Sequence, residues 1–96
     1  MKMTMLTYNE AMDEEVMQLL EECGLRNYTK LEGTHGKGET SGTHLGSETW
    51  PGLNNILYIA CEDVQAKKIV AGVKELRKRL GREGVKAFVW EVEEVT

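Results

Sequence analysis

The sequence has no surplus of positive charge: 12 lysines and arginines stand against 16 aspartates and glutamates, a net charge of −4. Binding to a phosphate backbone usually shows as a basic surplus, so nucleic acid is not the expected partner. No apolar run approaches the about 20 residues that cross a bilayer. Met1 to Tyr8 is too short and too polar for a secretory signal, and the chain reads as cytoplasmic. Cysteine is scarce. Cys23 and Cys61 share no CxxC-type spacing, so they read as reduced, packed thiols, with a disulfide or metal pair as the alternative. No serine sits on a nucleophile-elbow pattern and neither cysteine has a base near it in sequence, which argues against an enzyme. Proline occurs once, at Pro51, and the length of 96 residues allows one small domain. A core of that size is marginal, so burial against another copy would help.

What the chain has instead is one glycine-rich stretch, Gly33 to Gly52, reading GTHGKGETSGTHLGSETWPG. It holds six of the ten glycines, the single proline, both histidines and Trp50. It lacks apolar periodicity and reads as a long loop, where ligand or partner is met.

The flanks read as regular elements. Lys2 to Tyr8 is a short strand. Asn9 is placed to cap a helix, with Glu10, Asp13 and Glu14 near the positive end of its dipole. Met12, Val16, Leu19, Leu20 and Cys23 form one helical stripe, and Gly24 ends it. Leu25 to Glu32 is a second strand, with Leu25, Thr29 and Leu31 facing one way and Arg26, Lys30 and Glu32 the other. Leu53 to Glu62 is the third and most apolar strand. Asp63 is a candidate cap for a second helix with Ile69, Val73, Leu76 and Leu80 on one face. Its other faces carry Lys67, Lys68, Lys74, Arg77, Lys78 and Arg79, which read as a solvated surface. Gly81 and Gly84 bracket a turn, and Val85 to Val95 is the last strand. The order β-α-β-loop-β-α-β, with right-handed crossovers, places two helices on one face of a four-stranded antiparallel sheet, the ferredoxin-like α+β arrangement.

Such a sheet should alternate apolar and polar residues. The third strand does not: Leu57 and Ile59 point one way, Ile56, Tyr58 and Ala60 the other. The last strand sets Val85, Ala87 and Val89 against Phe88, Trp90 and Val92. Two helices cover one face only, so the other face is expected to pack against a second sheet in a homo-oligomer.

The loop permits two chemistries. Gly33-Thr34-His35-Gly36-Lys37-Gly38-Glu39-Thr40 lacks the P-loop spacing, but its backbone amides could form an anion nest with Lys37 as a point charge. His35, Glu39, His44 and Glu48 could instead converge on zinc or copper. Pro51 biases Trp50 to an extended conformation, so Trp50 plugs the loop base or stacks on a ligand ring.

Several phrases resemble the P-II-like (GlnB-like) signal-transduction superfamily. Cys23-Gly24-Leu25 through Lys30-Leu31-Glu32-Gly33 looks like the end of its first helix and its second strand. Gly36-Lys37-Gly38 resembles the base of its T-loop, within a T-loop-like insert over 33–52. Ile56 to Asp63, then Ile69 and Val70, look like its third strand and second helix. Gly84, Lys86, Phe88 and Val89 resemble the Gly-Lys-x-Phe-Val phrase of its B-loop and last strand.

The resemblance implies a non-enzymatic homotrimer with inward-facing sheets. It implies a small effector, often an adenine nucleotide, bound in clefts between subunits. It also implies a protein target, such as an enzyme, a transcriptional regulator or a membrane transporter, read through the loop. On this reading Gly36, Lys37, Gly38, Gly84 and Lys86 are the ligand-binding residues. The alternative is a metal-binding trimer of the CutA/P-II-like kind, using His35, His44 and Glu39 for a divalent ion. Four departures imply a divergent member with a different effector or a weaker nucleotide site. Gly38 stands where a glutamine is usual, and the loop has no tyrosine. The B-loop is shortened to Gly81-Arg82-Glu83-Gly84, and no basic segment follows Thr96.

Overall fold

The computed structural model describes residues 1–37, 53–81 and 84–96. Four strands, β1 (Lys2–Asn9), β2 (Thr29–Thr34), β3 (Asn54–Cys61) and β4 (Val85–Glu91), form one sheet in the order β2-β3-β1-β4. Every neighbouring pair is antiparallel. Helix α1 (Asp13–Glu22) connects β1 to β2, and α2 (Asp63–Leu80) connects β3 to β4. This is the ferredoxin-like βαββαβ arrangement expected from the order of elements.

The helix-covered face holds the core. Leu6, Leu57 and Ile59 from the strands meet Val16 and Leu20 of α1 and Ile69 and Val73 of α2, and all are buried. Full burial of one such side chain is worth about 1.5–3 kcal/mol, so these few residues dominate folding.

The opposite face is bare. Met5 lies between Tyr58 and Phe88 in register, and Met3 lies between Ala60 and Trp90. Phe88 and Trp90 each keep 45% of their surface exposed, Leu31 44% and Tyr58 36%.

Local sequence explains most of the boundaries. Gly24 adopts φ 75° after α1. The amides of Gly24 and Leu25 donate to the carbonyls of Glu21 and Leu20, closing the helix as a glycine at that position allows. Gly33 takes φ 68°, and between Leu31 and Thr34 the β2–β3 register slips by one residue. A left-handed residue is inexpensive only for glycine, and it makes the bulge that re-registers Thr34 with Asn54 at the end of β2.

Several boundaries differ from the expectation. β2 begins at Thr29 rather than Leu25, and Leu25 packs against the core while Leu31 lies on the bare face. Leu25 is held by its amide bond to the end of α1, so it does not join the strand's alternation. Asn9 caps a short 3-10 turn, Glu10–Met12, ahead of α1; its side chain accepts from the Ala11 amide. The cap of α2 is Glu62, not Asp63: a capping box with Gln65 satisfies amides in both directions and leaves Asp63 as the first helical residue. β4 stops at Glu91 rather than Val95, and the next amide, that of Val92, donates to the Met1 carbonyl.

Candidate functional site

The segments singled out by sequence meet at one end of the sheet. β1 finishes there at Asn9, opposite Asn54 at the start of β3, and Thr34 at the end of β2 also pairs with Asn54. On the other side of β1, Tyr8 pairs with Val85 and Thr7 with Lys86. Sequence positions near 9, 34, 54 and 85 therefore form one rim.

Hydrogen bonds tie the rim together. The Thr34 hydroxyl donates to the Asn54 carbonyl at 2.7 Å. The Asn9 amide donates to the Gly84 carbonyl at 3.0 Å, and the Glu10 amide to the Leu53 carbonyl at 2.9 Å.

Of the sequence-predicted ligand residues, Gly36, Lys37, Gly84 and Lys86 are among those described. Lys86 is exposed on the bare face, paired with Thr7 one row in from the Tyr8–Val85 pair. Lys37 is exposed just after β2. Gly36 lies against Asn54: a side chain there would meet the Asn54 amide nitrogen at 2.7 Å and displace it. Gly84 is buried, and a side chain there would run into the sulfur of Met12. The bare Cα at 84 thus serves packing against α1's approach, whatever else it serves. Of the candidate metal ligands, His35 is described and exposed. Gly38, Glu39 and His44 lie outside the described residues, as do Trp50, Arg82 and Glu83. Among the described residues, no three of His, Cys, Asp and Glu group as a metal site.

One cluster is not foreseen by sequence. A single oxygen of Asp13, Oδ1, accepts from the Tyr8 hydroxyl at 2.6 Å, from Lys30 Nζ at 2.8 Å and from Asn55 Nδ2 at 3.3 Å. Burial pushes the Asp13 carboxyl up, but the bonds from Lys30 and Tyr8 and the Lys30 charge outweigh it, and the net shift is downward. Burial, then the bond to Asp13, push the Tyr8 phenol well above its ordinary range. The cluster pins β2 and β3 to the start of α1, and so fixes the leg from which residues 33–52 depart. By sequence, Asp13 reads as a dipole acid and Lys30 as an outward strand lysine. The only signal for the cluster is that Lys30 falls on the parity opposite Leu31, which becomes meaningful once Lys30 is paired with buried Leu57.

Elsewhere, Cys23 and Cys61 are free thiols. Burial raises the Cys23 thiol above its ordinary value. Among the described residues, no helix is long and apolar enough to cross a membrane.

Lys37 and Lys86 bring exposed positive charge to this end of the sheet, which suits an anionic ligand. Comparison with known proteins bears on the fold and the family. No curated protein sequence matches the chain. Among solved structures, a PII-like signaling protein from Thermus thermophilus superposes with a TM-score of 0.69 at 19% identity, covering 95% of this chain and 84% of its own. CPII, a nitrogen regulatory PII-like protein from Thiomonas intermedia bound to ADP, AMP and bicarbonate, superposes with a TM-score of 0.73 at 16% identity, again covering 95% and 84%. Its apo form gives 0.71 at 14% identity, covering 95% and 87%. At these identities the likeness concerns the fold. The description "Nitrogen regulatory protein P-II" matches residues 1–96, and the chain belongs to that family.

Proposed function

We propose that this P-II-family signalling protein is a cytoplasmic homotrimer that senses an adenine nucleotide and reports to a protein target through residues 33–52. P-II proteins are regulators rather than enzymes. The chain acts as one domain with a T-loop-like insert. The single observation that carries the reading is the rim, where the return of the insert at Leu53 and the Gly84–Lys86 segment flank the end of β1 on its two sides. The bare apolar face supports assembly: a row of half-buried Met5 between exposed Tyr58 and Phe88 is better buried against like sheets. In the trimer, Gly36, Lys37 and Gly38 would line a subunit cleft with Gly84 and Lys86. The two lysines would bind phosphate charge and the glycines would let the backbone close in. CPII is seen with ADP and AMP, which supports adenine nucleotides as the class to test first.

The test is thermal stability across ADP, AMP, ATP, 2-oxoglutarate, bicarbonate and divalent metals, with mass in solution measured alongside. A ligand at 100 times its Kd adds about 2.7 kcal/mol to the native state. A nucleotide is expected to raise Tm on a trimer, and Lys86→Ala to abolish most of that rise. A rise with zinc or copper alone would replace the nucleotide reading with the metal reading through His35, Glu39 and His44.

A further inference from the structure

β1 ends in two amides that serve two different segments. Consecutive backbone donors in a strand point to opposite sides. Here the Asn9 amide reaches the Gly84 carbonyl at 3.0 Å, and the next amide, that of Glu10, reaches the Leu53 carbonyl at 2.9 Å. Gly84 immediately precedes β4, and Leu53 immediately precedes β3. The two residues that bridge these acceptors are not slack. Asn9 is buried, and its side chain accepts from the Ala11 amide at 2.9 Å, stiffening the Glu10–Met12 turn. Met12, at the end of that turn, packs its sulfur against Gly84. The segment 9–12 therefore touches Gly84 at both its ends and holds Leu53 from its middle.

We propose that Asn9 is a positioning residue that couples the Gly84 segment to the return of the 33–52 stretch at Leu53. A displacement of Gly84 moves the Asn9 amide, the stiff turn carries the movement to Glu10, and Glu10 shifts the Leu53 carbonyl. Leu53 cannot ignore it, because the next residue, Asn54, is already paired with both Asn9 and Thr34. What displaces Gly84 rests on the nucleotide reading above; the coupling itself does not.

The backbone of Asn9 permits a clean test. Its φ of −66° is the value proline imposes, and Tyr8 before it is in extended strand, which proline tolerates. Asn9→Pro deletes the amide bonded to Gly84 together with the side-chain cap. Asn9→Ala deletes the cap alone. The difference between them isolates the Asn9–Gly84 link. The reporters are the amide chemical shifts and hydrogen exchange of Glu10, Asn54 and Asn55, measured on the full chain with and without ADP. In the wild type ADP is expected to shift all three, and in Asn9→Ala, which keeps the amide link but softens the turn, to shift them by less. In Asn9→Pro the shifts are expected to shrink several-fold while ADP binding persists, and Glu10 should exchange about two- to tenfold faster, the range for one lost hydrogen bond. Equal responses in the Pro and Ala variants would overturn the coupling. Gly84→Ala supplies an arm that needs neither ligand nor a folded Asn9→Pro, because the added Cβ displaces Gly84 against Met12. It should alter exchange at Glu10 and Asn54, and unchanged exchange there would sink the proposal. If ADP fails to bind the wild type, the nucleotide reading falls and the Gly84→Ala arm alone decides the coupling.

Discussion

The two faces of the sheet are nearly equal in apolar content and opposite in outcome. On β3, Leu57 and Ile59 vanish beneath the helices, while Ile56 is partly exposed and Tyr58 and Ala60 are exposed one residue away. On β4, Val85 is buried and Phe88 and Trp90 are not. Hydrophobic residues thus report that a surface is meant to be covered, without saying by what. One face is covered by the chain's own helices. The other is left uncovered by the chain's own elements, and it is the face that the proposed trimer would bury.

The sharpest way to break this comparison is to cut into each face at neighbouring positions. Leu57→Ala should cost about 2–5 kcal/mol in denaturant unfolding, the range for a cavity in a packed core. Phe88→Glu should leave the fold intact by circular dichroism and lower the mass in solution from trimer toward monomer. If Leu57→Ala costs less than about 1 kcal/mol, the core assignment is wrong. A monomeric wild type at tens of micromolar would remove the distinction between the faces.

A smaller effect is expected at the Asp13 cluster, which joins the covered face to the rim. Asp13→Ala leaves Tyr8, Lys30 and Asn55 without their shared acceptor and should cost about 1–2 kcal/mol. Because the carboxyl is depressed in the folded state, the unfolded chain binds more protons in the window between the two values. The contribution is present above the unfolded carboxylate range and is lost as pH falls through the folded value. Wild-type stability should therefore fall more steeply in acid than that of Asp13→Asn; parallel acid limbs would show that Asp13 contributes no such linkage.

The smallest effect is at the helix–helix contact on the covered face. Gly72→Ala would ordinarily gain up to about 1 kcal/mol of helix propensity. Here the new methyl would run into the side chain of Leu19, which packs against the core. The variant is expected to be less stable than wild type by about 1 kcal/mol. A rise in Tm would mean that Leu19 moves aside freely.

Much of the fold is legible in the residues alone. The stripe Met12, Val16, Leu19, Leu20, Cys23 specifies α1, and Gly24 marks its end. The two-sided apolar pattern of the third strand announces an open face. The boundaries that shift do so for tertiary or capping reasons: Leu25 is held by α1's closing bonds, and Gln65 makes Glu62 the better cap than Asp63. The site is only half legible. Local phrases single out Gly36, Lys37, Gly84 and Lys86 as candidates, but the reason Gly84 is bare, the sulfur of Met12, lies far away along the chain.

By itself the sequence determined the kinds of element, their order and the presence of two apolar faces, because these depend on periodicities of two and 3.6 residues and on glycines at chain reversals. Tertiary structure alone decided which face the helices take. It decided that Lys30 turns inward to Asp13, and that Asn9 and Glu10 divide their amides between Gly84 and Leu53. Those contacts join residues brought together only when the crossovers close, and no local pattern encodes a partner that distant in the chain.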